Sequence, residues 1–212
     1  MPAPDSALRK TKAVPAPPRA HALDVLRSRV SVPPTDLVEP CPTPDLLDEM
    51  LAAALAAPDH GRLRPARFAI VRGDFRAALA ELLVEATRRR DPSTPDATLE
   101  RVFAVTRDAP LIVVVGAVIR PAHRVPEHEQ LLSVGASAMN LLNAAHALGY
   151  GAFWRTGPNA DDPLVRRAFG LEEPNRLVGF VHVGTRRGPA TSRPAVELRQ
   201  YARPWNGRVV PF

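Results

Sequence analysis

Residues 126–157 read PEHEQLLSVGASAMNLLNAAHALGYGAFWRTG. The stretch predicts a long helix from about Pro126 to Leu148. A proline suits a first helical turn, and Gly149 readily takes the left-handed conformation that ends helices. Gly151 to Arg155 then reads as a strand. Inside the helix, Gly135-Ala136-Ser137-Ala138 is an odd interior, because glycine there costs roughly 1 kcal/mol against alanine. Such small side chains admit a close neighbour, either a flat ring or another helix packed across a dimer. The residues alone do not choose between these. At the strand end, Arg155 and Thr156 combine a charge-assisted fork with a hydroxyl, which suits phosphate. Ligands often sit at the carboxyl ends of strands in α/β sheets; simple packing by Trp154 beside a surface cation is the plainer alternative.

Upstream of this stretch, Leu111 to Val118 is an unbroken apolar run that predicts a buried strand. Helices are expected at about Pro95 to Asp108 and at Asp74 to Arg90, the latter with Phe75, Leu79, Leu82, Leu83 and Ala86 inward. Arg67 to Arg72 reads as a short strand. Thr43-Pro44-Asp45 is a helix start, with Thr at the N-cap, and Leu47, Met50, Leu51, Ala54 and Leu55 follow at helical spacing until Pro58. Four prolines make Ser31 to Pro42 mostly extended loop, and a first helix is expected from about His21 to Val30 with Leu23 and Leu26 as its apolar side. Downstream come a helix from Asp162 to Phe169, capped by Gly170, and a last strand from Arg176 to Val183. Residues 1–20, with five prolines and almost no large apolar side chain, predict a disordered extension, leaving 21–212 as one domain. The element order points to a mixed α/β layer fold, with helices covering both faces of a sheet.

The chain has 212 residues, enough for one substantial core, with 45% hydrophobic and 24% charged residues. Its net charge of +6 divides into +3 over residues 1–20, +5 over 184–212 and −2 between them. A nucleic-acid domain would concentrate cations on its folded body, so this distribution argues against one. The Arg88-Arg89-Arg90 run closes a helix, where cations suit the dipole. Cys41 is the only cysteine, which excludes a disulfide within one chain. With no apolar run of membrane-spanning length and no hydrophobic leader, the expected setting is the cytoplasm. No glycine-rich dinucleotide fingerprint, phosphate-binding loop, zinc-protease motif or nucleophile elbow occurs. His123 and His128, flanked by Glu127 and Glu129, lack the helical spacing of a ligand pair, and no metal is expected. Pro58 to Pro65 (PDHGRLRP) is a polar, cationic loop fit for an anion or a heteroaromatic ligand, or simply a solvated turn.

Six segments in order carry a family resemblance: Arg29-Val30-Ser31; AxAAPDH (54–60); RVPEHEQ (124–130); GASAMN (135–140); ALGYGAFWRTG (147–157); and VGFVHVGT (178–185). Over roughly residues 21–185 the chain resembles the flavin-dependent nitroreductases, especially their compact bacterial NAD(P)H nitroreductase branch. The resemblance implies an α+β fold, a mixed central sheet covered by helices, that forms an intertwined homodimer with one FMN in each of two interface sites. It also implies that Arg29 and Ser31 grip the FMN phosphate, with Val30 between them. By the same resemblance His60 and Arg64 contact the flavin from one chain, and Trp154, Arg155 and Thr156 are supplied across the dimer. Ala144 to Gly149 matches a stretch associated with the nicotinamide nucleotide.

Three positions depart from the family pattern. Val30 stands where a second arginine is usual, Arg64 where Gln or Asn is usual, and Ala66 where an aromatic often follows the proline. An arginine donates but cannot accept, so Arg64 suits flavin carbonyl oxygens and not the ring N–H. The implied activity is ping-pong hydride transfer from NAD(P)H through FMN to a nitroaromatic, quinone or similar small oxidant. The flavin carries the chemistry, so no catalytic side chain is expected. A flavin-binding sensor or store, a specialised flavin dehydrogenase on the same fold, and a nucleic-acid or protein-binding module using the basic ends are the alternatives.

Overall fold

A computed structural model describes residues 19–189, 194–205 and 207–208. In chain order its helices and strands are α1 (Arg19–Ser28), β1 (Leu37–Val38), α2 (Pro44–Leu55), β2 (Ala66–Arg72), α3 (Phe75–Arg90) and α4 (Asp96–Asp108). There follow β3 (Leu111–Ala117), α5 (Glu127–Ala147), β4 (Gly151–Arg155), α6 (Pro158–Asp161), α7 (Pro163–Ala168) and β5 (Arg176–Arg186). The sheet runs β1-β5-β3-β2, and β4 also pairs with β5. Every ladder is antiparallel. The parallel element is a single bridge from Ser31 to Ala152, backed by the Val32 N–H donating to the Ala152 carbonyl at 3.0 Å.

β3 shows why helices must cover both faces. All seven of its residues are buried, and adjacent side chains in a strand point to opposite sides. Leu111, Val113, Val115 and Ala117 pack with α2 and α5, among them Met50, Ala54, Val134, Ala138 and Leu141. Ile112 and Val114 pack on the other side with Leu79, Leu83 and Ala86 of α3, Ala160 of α6 and Val165 of α7. Each such fully buried aliphatic side chain contributes roughly 1.5–3 kcal/mol of burial free energy.

The helix signals act as expected at several ends. Thr43 Oγ1 accepts the Leu46 N–H at 3.4 Å to start α2, and Gly149 takes φ 87° just past α5. Other expectations need correction. Phe75 is 77% exposed instead of inward; it is the first residue of α3, and the inward stripe begins at Leu79. Leu23 and Leu26 lie exposed on α1. The 31–42 loop contains a 3-10 turn and the two-residue β1, whose Leu37 is buried. The helix expected from Asp162 is preceded by a separate short α6; Asp162 is extended and caps α7 through the Leu164 N–H at 2.9 Å. β5 runs three residues beyond Val183 because β1 pairs with its end. The expected disordered extension falls mostly on residues 1–18, outside the described residues. Among the described residues no helix is long and apolar enough to cross a membrane.

Candidate functional site

The five residues of β4 separate two polar clusters. At its start, the segment after α1 lies along the strand through the Ser31–Ala152 bridge. Gly151 makes that approach possible, since a Cβ there would sit 2.8 Å from Leu37 and 3.0 Å from Val32. Arg29 is only 8% exposed, while Val30 is half-buried and Ser31 exposed. Ser28 Oγ lies 2.9 Å from His146 Nε2, tying the end of α1 to the end of α5. Partial burial lowers the His146 pKa first, and the charges of Arg29 and Arg186 lower it further. Three basic groups therefore meet at the carboxyl end of a long helix, where the dipole favours cations.

The 58–66 loop is stapled to the amino-terminal half of α5. Ser133 Oγ donates to the Pro58 carbonyl at 2.8 Å, and His60 Nδ1 meets Glu129 Oε2 at 2.6 Å on the surface. Gly61, Arg62 and Arg64 all take positive φ, at 73°, 53° and 50°. Non-glycine residues in that region each cost of order 1 kcal/mol or more and tend to gather at functional sites. Here Asp59 Oδ2 holds the Arg64 N–H at 2.6 Å, and Arg67 donates to the Arg64 and Ala66 carbonyls. Beside the loop is a cavity of about 260 Å³ lined by Leu55, Asp59, Arg64, Ala66, Ser133 and Ser137. Ser137 and Ala138 turn inward, whereas a Cβ on Gly135 would meet nothing within 4 Å. The neighbouring Leu132 and Leu55 are 69% and 61% exposed.

At the other end of β4 the alternation of strand side chains splits an expected trio. Trp154 packs on the α5 side and its indole N–H donates to the Val178 carbonyl at 3.2 Å. Arg155 turns to the opposite face. There it lines a cavity of about 40 Å³ with Thr156, Thr106, Asn159, Phe180 and His182. Burial first, then the charge of Arg101, lowers the Arg155 pKa. His182 is 2% exposed, and burial followed by the charge of Arg155 brings its pKa down to about 3. The imidazole is thus neutral at neutral pH. Gly179 is required by the close crossing: its φ is 149°, and a Cβ would lie 2.5 Å from the Arg155 carbonyl and closer still to the Trp154 indole nitrogen.

The expected residues therefore gather in three places. Arg29 and Ser31 sit at the start of β4, and Trp154 to Thr156 lie at its end, about 13 Å away at strand rise. Arg64 borders Ser133 and Ser137, at least nine residues before His146, or about 14 Å along the helix. Within one chain these distances keep the three clusters apart. His182 and Gly179 went unread from sequence, although a glycine inside an otherwise strand-like VGFVHVG run marks a close backbone approach. Of the residues weighed as metal ligands, His123 Nδ1 accepts the Val125 N–H at 3.1 Å and Glu129 meets His60.

Comparison with known proteins agrees with this architecture. The profile of the Nitroreductase family matches residues 37–185. The Escherichia coli K12 protein provisionally named NAD(P)H nitroreductase YdjA is 35% identical over 164 residues, spanning 77% of this chain and 87% of its own. Among solved structures, a nitroreductase-like family protein from Bacillus cereus superposes with a TM-score of 0.73 at 22% identity, covering 88% of this chain and 96% of its own. A Bacteroides fragilis nitroreductase crystallised with bound FMN gives 0.66 at 21% identity, covering 87% and 98%. With the profile spanning most of the described body, from β1 to β5, the chain belongs to the nitroreductase family.

Proposed function

We propose that this chain binds FMN in a site completed by a second copy of itself and acts as an oxidoreductase. NAD(P)H is the proposed donor, and a small oxidant such as a nitroaromatic or quinone the acceptor. The observation that carries this reading is the base-rich start of β4. A nearly buried arginine, a second arginine and a histidine converge there, beside an exposed Ser31 whose backbone is pinned to Ala152. This donor set fits a phosphate dianion, which takes charge-assisted hydrogen bonds from guanidinium and hydroxyl groups.

The rest of the assignment follows from position. Arg29 and Ser31 would hold the phosphate. His60 and Arg64 would meet the flavin rim, Arg64 as a donor to ring carbonyl oxygens, with its positive charge favouring the reduced, anionic form. The small side chains around the 260 Å³ cavity leave space for a flat ring. Arg155 was expected on the cofactor as well. Its guanidinium turns away from the α5 side, so we assign the contact at that strand end to Trp154 and to the backbone of Arg155 and Thr156. Bound FMN would supply the redox chemistry, accepting hydride from the nicotinamide and passing it to the oxidant in alternate half-reactions. The chain's own part is to position, to exclude water and to set charge.

A second copy is supported by two features. The three clusters are spread along α5 and β4 instead of converging, and Leu132 on α5 and Leu55 on α2 are both exposed. Gly135 adds open space on the same helix. The purified protein should be yellow and dimeric in the ultracentrifuge, and anaerobic NADPH or NADH should bleach its flavin absorbance. A colourless monomer that ignores added FMN overturns the proposal. Bound flavin that neither nucleotide bleaches would leave a flavin-binding sensor or store.

A further inference from the structure

The cavity at the end of β4 lies on the face of the sheet opposite Trp154 and α5, although Arg155 and Thr156 border both, and its chemistry is distinct. It is mostly enclosed by Leu83 of α3, Val102 and Thr106 of α4, Asn159 of α6 and Phe180 and His182 of β5. Its volume of about 40 Å³ exceeds the roughly 10–15 Å³ that one water requires. That space is too small for a phosphate or an organic ligand. Arg155 reaches into it from the fourth strand. The charge acting on Arg155 is another cation, Arg101, and no carboxylate contributes to its shift. A half-buried guanidinium near a second cation, with no carboxylate acting on it, favours a counter-anion.

Hydrogen bonding points the same way. His182 Nδ1 is buried and has no hydrogen-bond partner, although the side chain lines the cavity. Asn159 Oδ1 is already accepting, from Thr87 at 3.2 Å and Arg90 at 3.1 Å. The Thr106 hydroxyl donates to the Val102 carbonyl at 2.9 Å. What remains directed into the space is rich in donors: the guanidinium, the Thr156 hydroxyl at the rim, and Nδ1–H in one imidazole tautomer. Donors outnumber acceptors in this space, which favours a small anion over water alone.

We propose that this cavity binds one small monovalent inorganic anion, of chloride size, between the Arg155 guanidinium and His182 Nδ1–H. The anion offsets the charge of Arg155 and holds the imidazole in its Nδ1-protonated form. The inference stands apart from the flavin reading, because a halide can be located in the cavity whatever the colour of the protein.

The test uses the full-length protein as purified. Crystals grown or soaked in sodium bromide should show one anomalous peak inside the cavity. In solution, chloride should raise the melting temperature by about 2–4 °C over gluconate at equal ionic strength. That difference should vanish in Arg155→Gln and in His182→Leu. Arg155→Lys, which keeps the charge but loses the fork, should show a reduced difference. Water alone in the cavity of bromide-soaked crystals overturns the proposal, and so does a chloride effect that survives Arg155→Gln. If that variant does not fold, the bromide peak in the unaltered protein decides.

Discussion

Each end of β4 places an arginine next to a histidine, and the two pairs behave differently. At the start, Arg29 acts on a His146 that is half-buried and bonded to Ser28 at 2.9 Å. At the far end, Arg155 acts on a His182 that is sealed, with its Nδ1 unpartnered. Both histidines are pushed toward the neutral form by burial first and a neighbouring cation second. Only the degree of enclosure differs. At the open end His146 stays partly exposed and Ser31 fully so, although Arg29 itself is nearly buried. At the closed end a 40 Å³ space restricts the ligand to a small ion, and the desolvated imidazole resists protonation across the physiological range. Enclosure, more than residue identity, decides what such a pair can bind.

The largest expected effect breaks the closed end alone. Gly179→Ala would place a Cβ against the Trp154 indole nitrogen in a backbone conformation that alanine disfavours. Overpacking and strain together should cost about 3 kcal/mol or more, read from the denaturant midpoint. An unchanged midpoint would mean that the two strands are not held as closely as described.

Next comes Arg29→Ala. Loss of charge-assisted bonds worth about 1.5–3 kcal/mol should weaken FMN binding about 10- to 100-fold. Arg155→Gln should leave it within about threefold, because that guanidinium faces the other side of the sheet. Titrating apoprotein by flavin fluorescence measures both, and equal losses would erase the distinction between the two ends.

His182 sharpens the contrast through pH. The unfolded chain takes a proton on this histidine near its ordinary pKa of about 6.5, whereas the folded protein refuses it until about 3. Stability from this group is therefore full above about pH 6.5 and declines as pH falls toward 3. Between pH 6.5 and 4.5 the loss should reach about 2–3 kcal/mol. In His182→Gln that part of the acid sensitivity should be missing from urea unfolding curves; if the two curves coincide at every pH, the imidazole is not held neutral. At the open end the effect is smallest. Ser28→Ala removes an exposed hydrogen bond and should shift stability by no more than about 0.5–1 kcal/mol. A larger loss would show that this end is as closed as the other.

The elements of the fold were largely legible from local pattern. Thr43, Pro44 and Asp45 start α2, Gly149 ends the longest helix, and the apolar run at Leu111 is the central strand. Each depends on neighbours within a few residues, which is the range of caps, propensities and side-chain periodicity. The reading failed where the outcome depends on distant partners. Phe75 fits an apolar stripe yet begins its helix exposed. β1 is only two residues long and exists because β5 extends far enough to pair with it.

The candidate site divides along the same line. Arg29, Ser31, His60, Arg64 and the Trp154–Thr156 segment could be named from motif order alone. Which face each side chain takes could not. His182 sits in an ordinary strand pattern, and its neutrality arises from residues 83, 102, 155 and 180, brought around it by packing. Sequence by itself determined the longer helices and strands and the identity of the basic residues, because those follow from local sterics and composition. Tertiary structure alone decided which bases are open and which are enclosed, because desolvation depends on everything that surrounds a charge in space.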